Sequence, residues 1–169
     1  ELIIHPRIQT DMYRGVPRLG AYEKAVNRLK MPLCYNGNLF SAADYKRITE
    51  RFPDTCCLMY GRGLITNPGL VTEIREGIRP DKKTVREFHD CLFEEYRELL
   101  SGERNVLFRM KELWSYLAPM FTNSKKYAKK IKKAEKCVVY ENAVRELFSC
   151  EQLIGEVEDG DMEKNTGSL

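Results

Sequence analysis

Short apolar runs alternate with amphipathic segments over the first part of the chain. The apolar runs Leu2–Ile4, Pro32–Tyr35 and Cys56–Tyr60 are typical of buried strands. The segments Arg18–Leu29 and Ser41–Phe52, which follow the first two runs, carry apolar residues at helical spacing. This repeated strand–helix alternation predicts a parallel α/β sheet with right-handed crossovers.

The pattern changes after Pro80, where only helical periodicity remains. The apolar spacing predicts helices over Thr84–Leu100, Asn105–Leu117 and Ser124–Tyr140. The segment Asn142–Phe148 either extends the last of these or forms a fourth helix. Such a run of helices with short connections predicts an all-α, antiparallel helical bundle.

These patterns predict two domains and a tail. Residues 1–78 are expected to form the α/β domain and 79–154 the helical domain. Residues 155–169 are acidic and poor in apolar side chains, so we expect a flexible tail. Three strands alone would leave exposed sheet edges, and the sequence opens directly before a strand without Met. We therefore expect the α/β domain to be a fragment of a larger sheet or barrel.

Composition and charge narrow the classes of protein. Hydrophobic residues make up 43% and charged residues 31%, a balance typical of a globular protein without a membrane partner. A run of roughly 20 apolar residues, which would span a bilayer, is absent from the sequence, and so is a signal-peptide pattern. The net charge of +3 is too small to indicate nucleic acid by itself. The six cysteines include no CxxC pair, which predicts free thiols in a reducing, cytoplasmic compartment and no metal site.

A cluster of lysines occupies the predicted third helix of the helical domain. Its members are Lys125, Lys126, Lys129, Lys130, Lys132, Lys133 and Lys136. One interpretation is a solvated charged face, and the other is a surface that contacts a phosphate backbone with strong salt dependence. Under the second interpretation, the candidate RNA contacts are Lys125, Lys129, Lys132 and Lys133.

Two stretches have the form strand, glycine-containing turn, helix. In the first, Gly61 and Arg62 follow an apolar run, and in the second, Asn36-Gly37-Asn38 does so. Glycine lets a ligand approach the backbone closely, and arginine can contact a phosphate through two hydrogen bonds. The two units together predict one shared phosphate site. His5 follows the first strand and is either a ligand contact or a hydrogen-bonded strand-end histidine.

Three motifs carry a resemblance to a known family. They are His5-Pro6-Arg7, the stretch Tyr35–Ser41, and the stretch Leu58–Gly63 with Asn67-Pro68. In this order and spacing, they resemble the C-terminal half of a tRNA-dihydrouridine synthase, closely over about residues 1–76. The resemblance implies the last three βα units of a flavin-binding (β/α)8 TIM barrel, with the helical domain following. It also implies FMN as cofactor, NADPH or NADH as its reductant, and tRNA as partner.

The resemblance assigns contacts with the cofactor to six residues. They are His5, Asn36, Gly37, Asn38, Gly61 and Arg62. By the resemblance, the histidine lies against the flavin, the Asn-Gly-Asn loop holds the phosphate and ribityl region, and the glycine–arginine turn binds phosphate. Arg7 lies in the loop that faces RNA in the family.

The sequence also departs from the family. It contains no Asn-x-Gly-Cys-Pro segment, which carries the family's catalytic cysteine, so we assign no catalytic residue in this chain. The family's flavin-contacting lysine and the N-terminal half of the barrel are missing. The stretch His5–Thr10 differs from the commoner His-Gly-Arg-Thr form. We therefore expect the parent protein to reduce uridine in tRNA and the isolated chain to be inactive.

Two other functions are compatible with these residues. One is a phosphate- or RNA-binding module without redox activity, which would bind tRNA without flavin. The other is an FMN-dependent barrel oxidoreductase with a small-molecule substrate, which would retain flavin without binding tRNA. Fold alone does not separate them, because barrels support many chemistries.

Overall fold

The computed structural model describes residues 1–11 and 15–154 of the chain. The predicted tail at 155–169 lies outside the described residues. The chain divides into two compact units, Glu1–Leu64 and the residues from Ile65 onward. The domain limit predicted after residue 78 stays a prediction.

The first unit contains a three-stranded parallel sheet. Its strands are β1 (Leu2–Ile4), β2 (Leu33–Asn36) and β3 (Cys57–Met59), in the order β1-β2-β3. The parallel α/β architecture predicted from the alternating pattern is therefore confirmed. That the strands belong to a barrel stays a prediction.

Two helices pack on one face of this sheet. They are α1 (Leu19–Arg28) and α2 (Ala42–Arg51), preceded in the chain by a short 3-10 turn at Gln9–Asp11. The buried core of this unit consists of Tyr22, Tyr35, Leu39, Ile48 and Phe52. The Tyr22 and Tyr35 rings meet edge to face, with centroids 5.0 Å apart. Strand β2 thus presents its tyrosine to the helices.

The opposite face of the sheet is exposed. Ile3 and Met59 lie on it and are 48% and 42% exposed. The expectation that β1 and β3 are buried strands is wrong in the described residues. Successive strand side chains point to opposite faces, and on the face away from the helices only Cys34 of the central strand is buried, at 4% exposure.

The chain after β3 forms two short helices. They are α3 (Arg62–Thr66) and α4 (Leu70–Glu76). A helix after the glycine-containing turn is what the strand–turn–helix form predicts, whereas its division into two short helices was not predicted. Asn67 organises the junction, because its Oδ1 accepts a hydrogen bond from the Gly69 N–H at 3.0 Å and its Nδ2 donates to Glu73 at 2.7 Å. The Asn-Pro pair of the third motif therefore has a structural role at the start of α4.

In the described residues, the second unit contains α4 and four longer helices. The longer helices are α5 (Lys82–Leu99), α6 (Glu103–Leu117), α7 (Lys125–Lys133) and α8 (Cys137–Cys150), with a 3-10 turn at Ala118–Met120 after α6. The apolar stripe predicted for α6 is confirmed as core: Leu107, Met110, Leu113, Trp114 and Leu117 are all buried. Within the part of the chain that the structure describes, no helix is long and apolar enough to cross a membrane.

The single helix predicted over Ser124–Tyr140 is wrong. Helix α7 ends at Lys133, Ala134 is extended with ψ of 127°, and α8 begins after Lys136. The buried stripe of α7 is Tyr127 and Ile131, and that of α8 is Tyr140, Ala143, Val144 and Leu147. On one continuous helix these stripes would point in different directions. The break lets both face the same core, and it leaves Lys136 outside α7.

A chain of polar side chains crosses the core of the second unit. The Trp114 Nε1–H donates to the Tyr140 hydroxyl oxygen at 2.8 Å, and that hydroxyl lies 2.6 Å from Nε2 of His89. His89 Nδ1 lies 2.8 Å from an oxygen of Asp90, whose other oxygen accepts from Arg86 at 2.7 Å. Because a carboxylate only accepts, His89 donates from Nδ1 and accepts from Tyr140 at Nε2. Both ring nitrogens of His89 and the Tyr140 hydroxyl therefore have hydrogen-bond partners.

Candidate functional site

The carboxyl ends of the three strands are tied together by side chains. The register pairs Ile4 with Tyr35 and Asn36 with Met59, so the residues that follow these strands meet at one edge of the sheet. His5 Nδ1 donates to the Asn36 carbonyl oxygen at 2.9 Å, and Asn36 Nδ2 donates to the Met59 carbonyl oxygen at 3.0 Å. Because a carbonyl oxygen only accepts, His5 Nδ1 carries a proton.

Asn38 joins two guanidinium groups at this edge. Its Oδ1 accepts a hydrogen bond from Arg7 at 3.0 Å and a longer one from Arg62 at 3.5 Å. Arg7 also donates to the Gly15 carbonyl oxygen at 2.8 Å. The Arg62 guanidinium lies over the Phe40 ring, 5.4 Å from its centroid. One amide oxygen thus holds two positive charges from different loops side by side, which is an arrangement suited to an anion.

The two glycines of the predicted phosphate site differ in their surroundings. A Cβ at Gly37 would come within 2.2 Å of the Tyr35 hydroxyl, and that ring is only 1% exposed. A Cβ at Gly61 would meet no atom within 4 Å. Gly37 is therefore required by the packing of a buried ring. The backbone at Gly61 faces open space into which a bound group could reach.

The start of α2 is satisfied internally. The Asp44 N–H donates to Ser41 Oγ at 3.1 Å, so Ser41 is the N-cap of α2. The Asp44 carboxylate accepts in turn from the Phe40 N–H and from Ser41 Oγ, both at 3.0 Å. Since Asp44 already supplies a negative group here, an anion at this edge would depend on the arginines and on the Gly61 turn.

An acidic side chain lies close to the arginines. Asp11 accepts two hydrogen bonds from Arg18, at 2.5 and 3.1 Å, and one from the Ile8 N–H at 3.1 Å. The hydrogen bond from Arg18 lowers the pKa of Asp11, so this carboxyl group stays ionised near neutral pH. Its charge is balanced by Arg18.

The structure therefore brings most of the predicted site residues together. His5 and Asn36 share one set of hydrogen bonds, Asn38 and Arg62 share a second, and Gly61 directly precedes Arg62. Sequence reasoning placed Arg7 in a loop that faces RNA, and here its guanidinium belongs to the second set, because it donates to Asn38. The roles of Gly15 and Phe40 were missed, and no sequence signal distinguishes them from other loop residues.

The four predicted RNA contacts lie on α7, in the second unit. Lys125, Lys129, Lys132 and Lys133 are exposed and recur at spacings of three and four, which places them along one side of the helix. Within the described residues none of them forms an ion pair. By contrast, Lys130 pairs with Glu146, Lys126 lies over the Tyr127 ring, and Lys136 pairs with Glu103.

The chain is similar to known proteins along most of its length. It matches the family model for dihydrouridine synthases over residues 1–155. A tRNA-dihydrouridine(16) synthase from Shewanella oneidensis is 29% identical to it over 121 residues. That alignment covers 69% of this chain and 37% of the relative, so the chain spans little more than a third of that protein. Because the family match includes all the strand-end loops and nearly the whole chain, the chain belongs to the dihydrouridine synthase family.

Proposed function

We propose that this chain forms the phosphate-binding part of an FMN site in an enzyme that reduces uridine to dihydrouridine in tRNA. Membership of the family supports the reaction, and the name of the Shewanella relative supports tRNA as substrate. The observation that carries the proposal is the Asn38 side chain, which holds the Arg7 and Arg62 guanidinium groups together.

The chemistry of the site suits the phosphate of FMN. Two guanidinium groups match the charge of a phosphate dianion and offer several N–H donors. The backbone at Gly61 leaves room for the phosphate oxygens, and the Asn36 and Asn38 amides would orient the ribityl chain. His5 would lie against the flavin, its ring held by the Asn36 carbonyl oxygen. When bound, FMN carries the hydride transfer, taking the hydride from NADPH or NADH and delivering it to the uracil ring.

The lysine face of α7 would contact the tRNA backbone. Lys125, Lys129, Lys132 and Lys133 offer charges that no acidic side chain of the described residues neutralises. Such contacts position RNA without reading its sequence. The choice of the modified uridine would therefore depend on residues outside this face.

We assign no proton donor for the uracil ring in this chain. The sequence lacks the Asn-x-Gly-Cys-Pro segment, so none of its six cysteines is a candidate for the family's general acid. The 169-residue chain by itself should therefore bind cofactor or RNA without reducing uridine. Formation of dihydrouridine by this chain alone would contradict that assignment.

Flavin retention tests the site. The purified chain is mixed with FMN and dialysed, and the flavin absorbance that remains is measured for the native chain, for Arg62→Ala and for Arg28→Ala. Arg28 is an exposed arginine at the end of α1 in the same unit and serves as the control. We expect flavin retention in the native chain and the control and its loss in Arg62→Ala. Equal retention in all three, or none in the native chain, would contradict the proposed site.

tRNA binding separates the alternatives. The native chain is titrated with tRNA, with and without FMN, by fluorescence anisotropy. Binding of both ligands supports the synthase. tRNA binding without any flavin retention would favour the RNA-binding module, and flavin retention without tRNA binding would favour an oxidoreductase that acts on small molecules.

A further inference from the structure

A second cluster of reactive side chains lies on the sheet, at the opposite end of the strands from the candidate FMN site. Cys34 near the start of β2 is the register partner of Cys57 at the start of β3. Ile3 of β1 is the partner of Cys34, and Glu1 precedes it by two residues. Because side chains alternate along a strand, Glu1, Cys34 and Cys57 project from the same face, away from α1 and α2.

The reactive atoms of these three residues form a compact group. The Cys34 sulfur, the Cys57 sulfur and a carboxylate oxygen of Glu1 all lie within 4.8 Å of one another. The Cys57 thiol donates a hydrogen bond to Glu1 Oε1 at 3.0 Å. In a tetrahedral zinc site with ordinary bond lengths, ligand atoms lie about 3.6–3.8 Å apart. Small side-chain rotations would bring the group to that spacing without movement of the strands.

The surroundings hold the ligands in place. Cys34 is buried, 4% exposed, and it lies in the central strand, with register partners in β1 and β3. Cys57 and Glu1 are exposed in the described residues. The group thus combines one rigid internal sulfur with two accessible ligand atoms.

The donor set selects the kind of ion. Two sulfur ligands favour zinc and other thiophilic metals over magnesium and calcium, which prefer oxygen. Three protein ligands leave a fourth tetrahedral position for water or another small ligand. We propose that Glu1, Cys34 and Cys57 bind one zinc-type divalent cation with an open fourth position.

Without a cation, hydrogen bonding, burial and the Glu1 charge all favour the protonated thiols. The hydrogen bond to the Glu1 carboxylate raises the pKa of Cys57 to about 11. Burial raises the pKa of Cys34, and the Glu1 charge raises it further. Both thiols are therefore protonated near neutral pH, since two thiolates and a carboxylate would repel one another. A divalent cation replaces these protons and removes the repulsion.

Sequence reasoning predicted no metal site because the cysteines lack CxxC spacing. Cys34 and Cys57 come from β2 and β3, Glu1 directly precedes β1, and the three meet only through the register of the sheet. Neither the proposed FMN site nor the lysine face contributes to this group. The metal site and the proposed function can therefore be tested independently.

Cobalt substitution tests the site directly. The chain is reduced, stripped of metal with a chelator and titrated with Co²⁺ under nitrogen, and thiolate-to-cobalt charge transfer is followed by absorbance. Zinc is then added to displace the cobalt, and metal per chain is measured after gel filtration. We expect one cobalt per chain, a charge-transfer band, and loss of that band on addition of zinc.

Two variants and two controls make the test specific. Cys57→Ser and Glu1→Gln change exposed side chains, so folding, checked by circular dichroism, should be unaffected. Cys57→Ser should abolish the charge-transfer band. Glu1→Gln should weaken cobalt binding. Cys56→Ser changes the neighbouring exposed thiol, and Cys91→Ser changes an exposed thiol on α5. Both controls should bind cobalt as the native chain does. A native chain without the band, a band that survives Cys57→Ser, or thiols found joined as a Cys34–Cys57 disulfide that resists reduction would overturn the proposal.

Discussion

Arg7 donates a hydrogen bond to Oδ1 of Asn38 at 3.0 Å, although 30 residues separate them in the sequence. The bond joins the loop after β1 to the loop after β2, and the same oxygen accepts from Arg62 after β3. Arginine side chains have high rotational entropy. Because a shared acceptor already restricts these two side chains, they lose less conformational entropy when they bind a ligand. Asn38 is therefore the residue through which the three loops act as one site.

Asn38→Ala should weaken FMN binding although Asn38 carries no charge. Without its Oδ1, both guanidinium groups lose their shared acceptor, and we expect about tenfold weaker binding, or about 1.4 kcal/mol. Flavin fluorescence titration measures the change. Asn27→Ala, at an exposed position of α1, is the matched control and should bind as the native chain does. Equal affinity in both variants would show that the amide does not organise the arginines.

Two glycine substitutions should have opposite effects. Gly37→Ala places a methyl group against the buried Tyr35 ring, so we expect the first unit to lose about 1–3 kcal/mol of stability. Gly61→Ala meets no neighbouring atom, so stability should be unchanged while FMN retention falls. Urea unfolding followed by circular dichroism, with flavin retention measured in parallel, separates the two effects. Full flavin retention in Gly61→Ala would exclude close approach of the phosphate to this turn.

The local pattern of the sequence predicted the elements of the first unit because they follow simple periodicities. Parallel strands place their carboxyl ends at one edge, so the meeting of the three loops follows once the alternation is recognised. The Asn38 hydrogen bonds depend on how the loops close over the strand ends. The group of Glu1, Cys34 and Cys57 depends on register. Local spacing determines neither loop closure nor register, so neither arrangement could be predicted from the sequence.

In the helical unit, the sequence pattern does not predict correctly which residues are buried. Helical spacing puts Leu99 on the apolar stripe of α5, yet Leu99 is 74% exposed and His89 is only 2% exposed. Histidine is often exposed, and a hydrophobicity pattern assigns it to the surface. It is buried here because Tyr140 and Asp90 satisfy both ring nitrogens. Tyr140 lies 51 positions after His89 in the sequence, so a local hydrophobicity pattern does not reveal their contact.

The lysine face of α7 should determine the salt dependence of tRNA binding. Replacing Lys125, Lys129, Lys132 and Lys133 together with Gln removes four unpaired charges while keeping a helix-compatible side chain. If all four contact phosphates, the slope of log K against log salt should fall by about 3. Filter binding over a range of potassium chloride concentrations gives the slope.

Lys130→Gln is the control for this measurement. Lys130 lies on the same helix and is paired with Glu146. Replacing it should therefore change the slope by less than replacing any one of the four other lysines. A quadruple variant with the native slope would mean that the lysine face is only a solvated surface.

The stability of the helical unit should decrease as the pH falls from 7 to 5. Burial lowers the pKa of His89 from its ordinary 6.5, against the opposing effect of Asp90. The unfolded chain therefore takes up a proton at a pH where the folded chain does not. By linkage, the stability due to neutral His89 is present above pH 6.5 and is lost as the pH falls through the lower, folded-state pKa. Carboxyl groups with a lowered pKa, such as Asp90, change the stability only at more acidic pH.

Urea unfolding at several pH values measures this loss, with fluorescence of Trp114 as the signal. It is the only tryptophan of the chain, and its Nε1–H donates to the Tyr140 hydroxyl beside His89, so it reports on this core. His89→Gln removes the titrating ring while keeping polar atoms near Tyr140, and its free energy of unfolding should vary less between pH 7 and 5. The absolute stability of that variant does not matter to the test, because only the slope with pH is compared. The same slope in both proteins would mean that His89 takes up its proton without unfolding.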